Sequence, residues 1–290
     1  MRGALVLLAG LWLAGCAQPV PEGVRMALAA LPNTLDPRYA TDAASSRLCR
    51  LLYAGLTDFD ASARPVAALA DWARLSPERY RFTLRADRAP FPDGRLPDAE
   101  DVAATYRSIL DPATASPHRG TLAHIRDIAV LGPDTLEFRL TRPDVLFPGY
   151  LSLGVLPADK LAAGHDFNRA PFGSGPFRFV DRVGAGRLRL RRVGDGLLVD
   201  FTQVPDPTVR VLKLQRGEVD LLQNDLPPEL IDYLAGLPRV RVERRPGTTF
   251  AYIGFQLEDP VVGRAAVRAA VAHAIDREAF VRHLFGGNAR

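Results

Sequence analysis

Segments that alternate apolar and polar residues recur along this chain, interleaved irregularly with segments of helical period. Residues 80–85, 135–140, 188–191 and 239–243 alternate with the period of two that puts one face of a strand against a core. Residues 24–30, 177–180, 209–214 and 251–256 are apolar enough to be strands as well. Between them, Asp42 to Leu52 places Leu48, Leu51 and Leu52 on one helical face. Asp98 is an N-cap candidate for a helix with Glu100 and Asp101 in its first turn and Val102, Ala103, Tyr106, Ile109 and Leu110 inward, stopped by Asp111-Pro112. A third helix is expected over 264–275 with Val267, Ala270, Val271, Ala274 and Ile275 inward, and a fourth from Asp276 to Gly286-Gly287. Strands mixed with helices in this way predict an α/β fold. The 290 residues, 47% hydrophobic and 24% charged, suffice for one large or two smaller domains.

The N-terminus constrains location. Arg2 precedes an apolar run over 4–13, within the length of a signal-peptide core and too short to span a bilayer. Small residues then lead into a cysteine, and Leu13-Ala14-Gly15-Cys16 resembles the lipobox of bacterial lipoproteins. The resemblance implies a signal peptide over 1–15, a diacylglycerol on the Cys16 thiol, and a tether over 16–23. It implies an extracytoplasmic, membrane-anchored protein, in the periplasm or on the outer face of the cell membrane. The competing reading is an ordinary secretory signal with an incidental cysteine. Cys49, the only other cysteine, sits in an apolar helical pattern as a small core residue, so no intramolecular disulfide forms once Cys16 is lipidated.

The formal net charge of +4 is spread thinly: only Lys160 and Lys213 are lysines, and the arginines are dispersed among acidic residues. No dense basic block with interleaved aromatics points to nucleic acid. The five histidines (118, 124, 165, 273 and 283) include no pair at the spacing of a helical metal site. Gly173-Ser174-Gly175 lacks the first glycine of a nucleophile elbow, having Phe172 there. Gly184-Ala185-Gly186 has Arg189 where a dinucleotide loop needs its third glycine. No catalysis, metal or cofactor is expected.

A series of segments, in order, resembles the family 5 extracellular solute-binding proteins, the dipeptide- and oligopeptide-binding group serving ABC importers. Leu35-Asp36-Pro37 is similar to the motif after the first strand, and residues 51–57 resemble the family's Leu-Leu-Tyr-Glu-Gly-Leu, with Ala54 in place of the usual glutamate. Pro65 to Trp72 resembles Pro-x-Leu-Ala-x-x-Trp with one residue added at Ala67. Phe82-Thr83-Leu84-Arg85, Phe91-Pro92-Asp93-Gly94 and Ala99-Glu100-Asp101-Val102 resemble the signature region. Gly173-Ser174-Gly175-Pro176-Phe177 is similar to Gly-Thr-Gly-Pro-Tyr, and residues 217–220 and 267–277 complete the series. Residues 191–196 depart from the family's Asn-x-x-Tyr-Trp segment, which leaves the ligand open.

The resemblance implies a two-lobed receptor of the type II periplasmic-binding-protein kind, of which mainly the first lobe is present. Residues 24–263 would form the N-terminal lobe with an inserted subdomain around 45–165, and 264–290 the start of a second lobe whose remainder is absent. Such a receptor, working as a monomer, captures peptides or similar small solutes and delivers them to ABC permease subunits. Alternatives are the same fold binding a nickel complex, haem or an oligosaccharide, and a truncated non-functional remnant. Ligand-binding candidates are polar and aromatic residues in loops at strand ends: Asn33, Thr34, Tyr39, Gln223, Asn224, Thr249, Phe250 and Tyr252.

Overall fold

The computed structural model describes residues 23–184, 186–223, 225–245, 251–287 and 289. Cys16 with the rest of the signal-peptide region, and the candidates Asn224, Thr249 and Phe250, lie outside the described residues. The chain divides into two compact units. One runs to Pro205 and takes in Val219–Leu222; the other comprises Asp206–Glu218 and Gln223–Arg290. Among the described residues, no helix is long and apolar enough to cross a membrane.

The first unit opens with β1 (Val24–Leu28), followed by a loop over 29–42 and α1 (Ala43–Leu52). Asp42 caps that helix by accepting the Ser45 amide, which satisfies one of the orphan donors of its first turn. A hairpin of β2 (Thr57–Phe59) and β3 (Pro65–Ala67) leads to β4 (Ala70–Ser76) and β5 (Arg79–Leu84). Next come α2 (Ala99–Leu110), α3 (Arg119–Leu122), β6 (Ile125–Gly132), β7 (Thr135–Leu140) and α4 (Ala158–Ala162). β8 (Phe177–Val183), β9 (Arg187–Arg192) and β10 (Leu198–Gln203) follow, and the unit regains β11 (Leu221–Leu222) after an excursion. The fold is thus α/β with mixed sheets, as expected. A five-stranded sheet has the order β11-β1-β10-β9-β8, with β1 parallel to β10 and β11 and the β8–β9–β10 pairs antiparallel. A four-stranded antiparallel sheet has the order β4-β5-β7-β6.

Each sheet has its own core. Leu48, Cys49 and Leu52 of α1 pack with Met26, Leu188, Leu190 and Phe201 of the mixed sheet. Val102, Ala103, Tyr106 and Ile109 of α2 pack with Tyr80, Phe82, Leu136 and Phe138 of the antiparallel sheet. The Phe138 ring receives Tyr106 and Phe82 edge-on at 5.5 Å each, the arrangement ring quadrupoles favour. The α2 cap is reciprocal: Asp98 accepts the Asp101 amide while the Asp101 carboxylate accepts the Asp98 amide.

Three expectations for the second unit are corrected. Residues 209–214 belong to a helix, α5 (Pro207–Gln215). Asp206 accepts the Val209 amide at 2.8 Å, and Pro207 occupies the first turn, where its missing N–H costs nothing. Residues 239–243 and 251–256 form no strand, because no ladder partner runs beside them among the described residues. The other helices are α6 (Pro228–Ala235), α7 (Ala265–Ala274) and α8 (Arg277–Phe285), the last capped by Asp276 and ended by Gly286 in the left-handed conformation. On α7, Val267 and Val271 are half-buried while Ala270 and Ala274 are exposed, so the expected inward face is only partly covered. Among the described residues of this unit, Val211 and Leu234 are the only buried hydrophobics.

Glycines set how closely the first unit's segments approach. A Cβ on Gly173 would lie 2.3 Å from the Tyr53 ring and 2.4 Å from the Leu52 carbonyl oxygen; one on Gly175 would lie 2.5 Å from the Leu51 carbonyl oxygen. The Gly175 amide also donates to the Leu52 carbonyl at 3.0 Å. The pattern Gly-Ser-Gly is therefore a backbone-contact motif. Gly175→Ala is expected to destabilise the first unit by about 1–3 kcal/mol, as overpacking does, read as a lower urea midpoint at unchanged m-value.

Candidate ligand-binding site

In open α/β sheets ligands bind outside the carboxyl ends of parallel strands, which here are Leu28 of β1, Gln203 of β10 and Leu222 of β11. The loop over 29–42 leaves β1 at that edge and carries Asn33, Thr34 and Tyr39. Its backbone is fixed by side chains. Thr34 accepts the Asp36 amide on its hydroxyl at 3.0 Å and donates its own amide to the Ser45 hydroxyl at 3.1 Å. Asn168, distant in sequence, accepts the Leu35 amide at 2.9 Å and the Arg182 guanidinium at 3.3 Å on the same carbonyl oxygen. Asp36 is 4% exposed and is held by the Arg38 amide at 3.0 Å and by its guanidinium at 3.0 and 2.6 Å. Burial opposes the Arg38 charge, but the Asp36 contacts more than offset it and raise the Arg38 pKa.

A second segment clasps the loop from outside. The Tyr39 hydroxyl donates to the Thr114 carbonyl at 3.0 Å, and the Ser116 hydroxyl donates to the Arg38 carbonyl at 2.7 Å. His118 contacts the Ala40 backbone, and burial holds its pKa below the ordinary histidine value despite that bond. Beside Asn168, a recess of about 430 Å³ is lined by Arg169, Phe179, Asp181 and Arg182. Cys49, under the loop, is 5% exposed, and burial pushes its thiol up to about 12, so it stays protonated.

Thr34 and Tyr39 thus spend their hydroxyls on the loop and its clasp, whereas Asn33 is exposed. Gln223, which follows β11, and Tyr252, 80% exposed, belong to the second unit. The groups that organise the first-unit site include four that sequence reasoning did not single out as site residues: Asp36, Arg38, Ser45 and Asn168. Asp36 was visible in its Leu-Asp-Pro motif; Asn168 lies 133 residues from its partner, and no local signal marks it. The site offers hydrogen bonding and fixed charge.

A profile of the bacterial extracellular solute-binding proteins, family 5 (middle), matches residues 64–290. The peptide transport periplasmic protein SapA of Salmonella typhimurium is 30% identical over 89% of this chain and 53% of its own. The probable di/tripeptide-binding protein 5 of Pseudomonas aeruginosa is 27% identical over 96% of this chain and 57% of its own. The chain therefore spans about half the length of the curated relatives it matches. Among solved structures, NikZ from Campylobacter jejuni in complex with Ni(L-His) is similar with TM-score 0.80 and 22% identity, covering 92% of this chain and 56% of that one. The oligopeptide-binding protein AppA from Bacillus subtilis, in complex with a nonapeptide, is similar with TM-score 0.79 and 23% identity, covering 92% and 57%. The fold is that of type II periplasmic binding proteins.

The charges around this sheet set an acid limit on stability. Arg189 holds Asp200 below the ordinary carboxylate range, Arg25 does the same for Asp220, and at Asp42 burial is outweighed by the Ser45 hydroxyl together with backbone amides of the helix start, which lower it. Unfolded, these groups return to about 3.9, so their contribution is complete above about pH 4 and is lost as pH falls through the lower folded values. Buried His118, lowered when folded, adds stability present above about pH 6.5 and lost on acidification towards its folded value. Urea midpoints measured against pH should show both limbs. Asp200→Asn is expected to flatten the acid one and His118→Gln to remove the one nearer neutrality.

Proposed function

The chain belongs to the bacterial extracellular solute-binding proteins of family 5, and we propose that the whole protein is the substrate-binding lipoprotein of an ABC importer. It captures peptides outside the cytoplasm and presents them to permease subunits in the membrane, and no bond is made or broken. The observation that carries this reading is the profile match over most of the chain, joined by relatives whose names describe peptide binding or peptide transport.

The geometry supports a binding role. Between β1 and α1 the chain presents a loop braced by Asp36, Arg38, Ser45 and Asn168, and a braced loop loses little entropy when a solute meets it. Asn33, Thr34 and Tyr39 are the first-lobe contacts in this reading, with Gln223, Asn224, Thr249, Phe250 and Tyr252 supplying others. Main-chain hydrogen bonding along an extended peptide would give affinity, and lobe closure by a hinge would give capture. The lipid on Cys16 tethers a monomer close to its permease, after removal of residues 1–15.

Two measurements test the reading. The full-length product of the source locus, purified natively and denatured, should release peptides detectable by mass spectrometry; a metal complex, haem or oligosaccharide in their place would overturn the peptide assignment. Labelled palmitate should be incorporated by cells expressing the protein, and Cys16→Ala should lose the label and leave the membrane fraction. A Cys16→Ala protein that stays membrane-bound would overturn the anchor.

A further inference from the structure

One end of the antiparallel sheet, where β4 turns into β5 and β7 runs into the loop over 141–147, carries an apolar tip. Val145 and Leu146 are 69% and 63% exposed, the most exposed large hydrophobics among the described residues of the first unit. The loop that presents them is pinned on both sides. Asp144, just before them, accepts the Leu146 amide at 2.8 Å on its carboxylate and the Tyr80 hydroxyl at 2.7 Å on its carbonyl, and the His124 ring lies 3.3 Å from it. Phe147, just after them, is fully buried, with the Tyr80, Phe138 and His124 rings centred 5.2, 5.4 and 5.7 Å away. The Gly149 amide returns to the Leu146 carbonyl at 2.8 Å. A loop held this way cannot fold its aliphatic side chains inward, so they meet water unless something else covers them. The β2–β3 hairpin extends the apolar surface: Phe59 is exposed, and a Cβ on Gly149 would lie 3.5 Å from its ring and 3.4 Å from Pro65.

Charge at this end of the sheet is in cationic surplus. Arg74 near the end of β4, Arg126 near the start of β6, which pairs with the end of β7, and Arg142 in the loop itself are exposed and have no carboxylate partner among the described residues. The nearby carboxylates are mostly engaged: Asp144 faces His124, Asp127 faces Arg139, and Asp58 and Asp60 of the hairpin are taken by Arg50 and Arg64. Glu78, in the β4–β5 turn, is the open one. Open cations beside an aliphatic tip fit a partner that is apolar within and anionic at its face. We propose that this tip docks on an anionic lipid bilayer, with Val145 and Leu146 entering the headgroup boundary and the open arginines drawn to its phosphates. The anchoring reading supplies proximity: β1 begins eight residues after Cys16, which limits the tether to about 28 Å. Docking would hold the tethered receptor in one orientation on the membrane. None of the residues assigned to peptide binding takes part.

The test removes the anchor, so docking and anchoring fail separately. The full 290-residue chain with Cys16→Ala and Leu146→Cys takes an environment-sensitive fluorophore at residue 146, while buried Cys49 stays unlabelled. A matching chain carries the label at Val193→Cys, an exposed position in the β9–β10 turn, and shares the same N-terminal apolar run. Vesicles of phosphatidylethanolamine with phosphatidylglycerol should shift the emission at 146 to the blue and leave that at 193 unchanged. Vesicles of phosphatidylcholine alone should give a smaller shift, and salt should weaken the response to the anionic ones. Val145→Asp in the chain labelled at 146 should raise the lipid needed for half the shift by about ten-fold or more. No shift at 146, or an equal one at 193, would overturn the proposal, as would equal shifts on the two kinds of vesicle. A shift at 146 that grows with protein concentration in the absence of lipid would also overturn it, assigning the tip to a second copy of the chain.

Discussion

Tyr53 is gripped by backbone that has no side chain to spare. Gly154 and Gly173 approach it so closely that a Cβ on either would sit 2.3 Å from its atoms, and its hydroxyl reaches the Phe167 carbonyl. The grip matters because the chain changes cores here. Leu52 and Tyr53 belong to the core under the mixed sheet, and Leu56, three residues on, belongs to the core of the antiparallel sheet. Backbone bonds fix the passage on both sides. Gly175 donates to Leu52, Val155 donates to the Ala54 carbonyl, and Leu56 donates to Leu151. A segment so bound cannot slide without breaking both cores, and this fixes α1, the β1 loop and the start of β8 relative to one another.

That junction explains which parts of the sequence were legible. Signals confined to a few residues read correctly. Asp98 and Asp276 each cap a helix, and Gly286 ends one, because a cap is a local hydrogen bond with few alternatives. The alternating segments at β5 and β9 read correctly too, since each has one buried face, and so did β7, whose Leu136, Phe138 and Leu140 are buried on one side although Glu137 is buried on the other. β6 escaped because shifts of register between Ile125 and Asp127, and between Val130 and Gly132, interrupt its period of two. β4 escaped because one buried residue, Ala70, gives it no apolar face to detect. The segment 209–214 failed in the other direction. Its apolar residues suit a strand, but the Asp206-Pro207 start lies outside the window that suggested one.

The candidate site divides along the same line. Asn33, Thr34 and Tyr39 stand out in sequence as polar and aromatic residues after a strand. What the loop does with them depends on partners far away: Thr114 for Tyr39, and Ser116 and Asn168 for the backbone between. No periodicity encodes such pairs, so their roles emerge only once the two cores bring the segments together.

The loop over 29–42 also bears on how a solute would be recognised. Thr34, Asp36, Arg38 and Tyr39 hold one another, Ser45 or the 114–118 segment, so their side chains are committed before any ligand arrives. A group already hydrogen-bonded gains little by exchanging one partner for another. Main-chain groups and exposed side chains such as Asn33 are what such a loop can offer at low cost. Main-chain recognition reads the backbone of an extended peptide and is indifferent to its side chains. Under the peptide-binding reading, selectivity among peptides must then come from other walls of the cleft, and this loop would contribute affinity common to all of them.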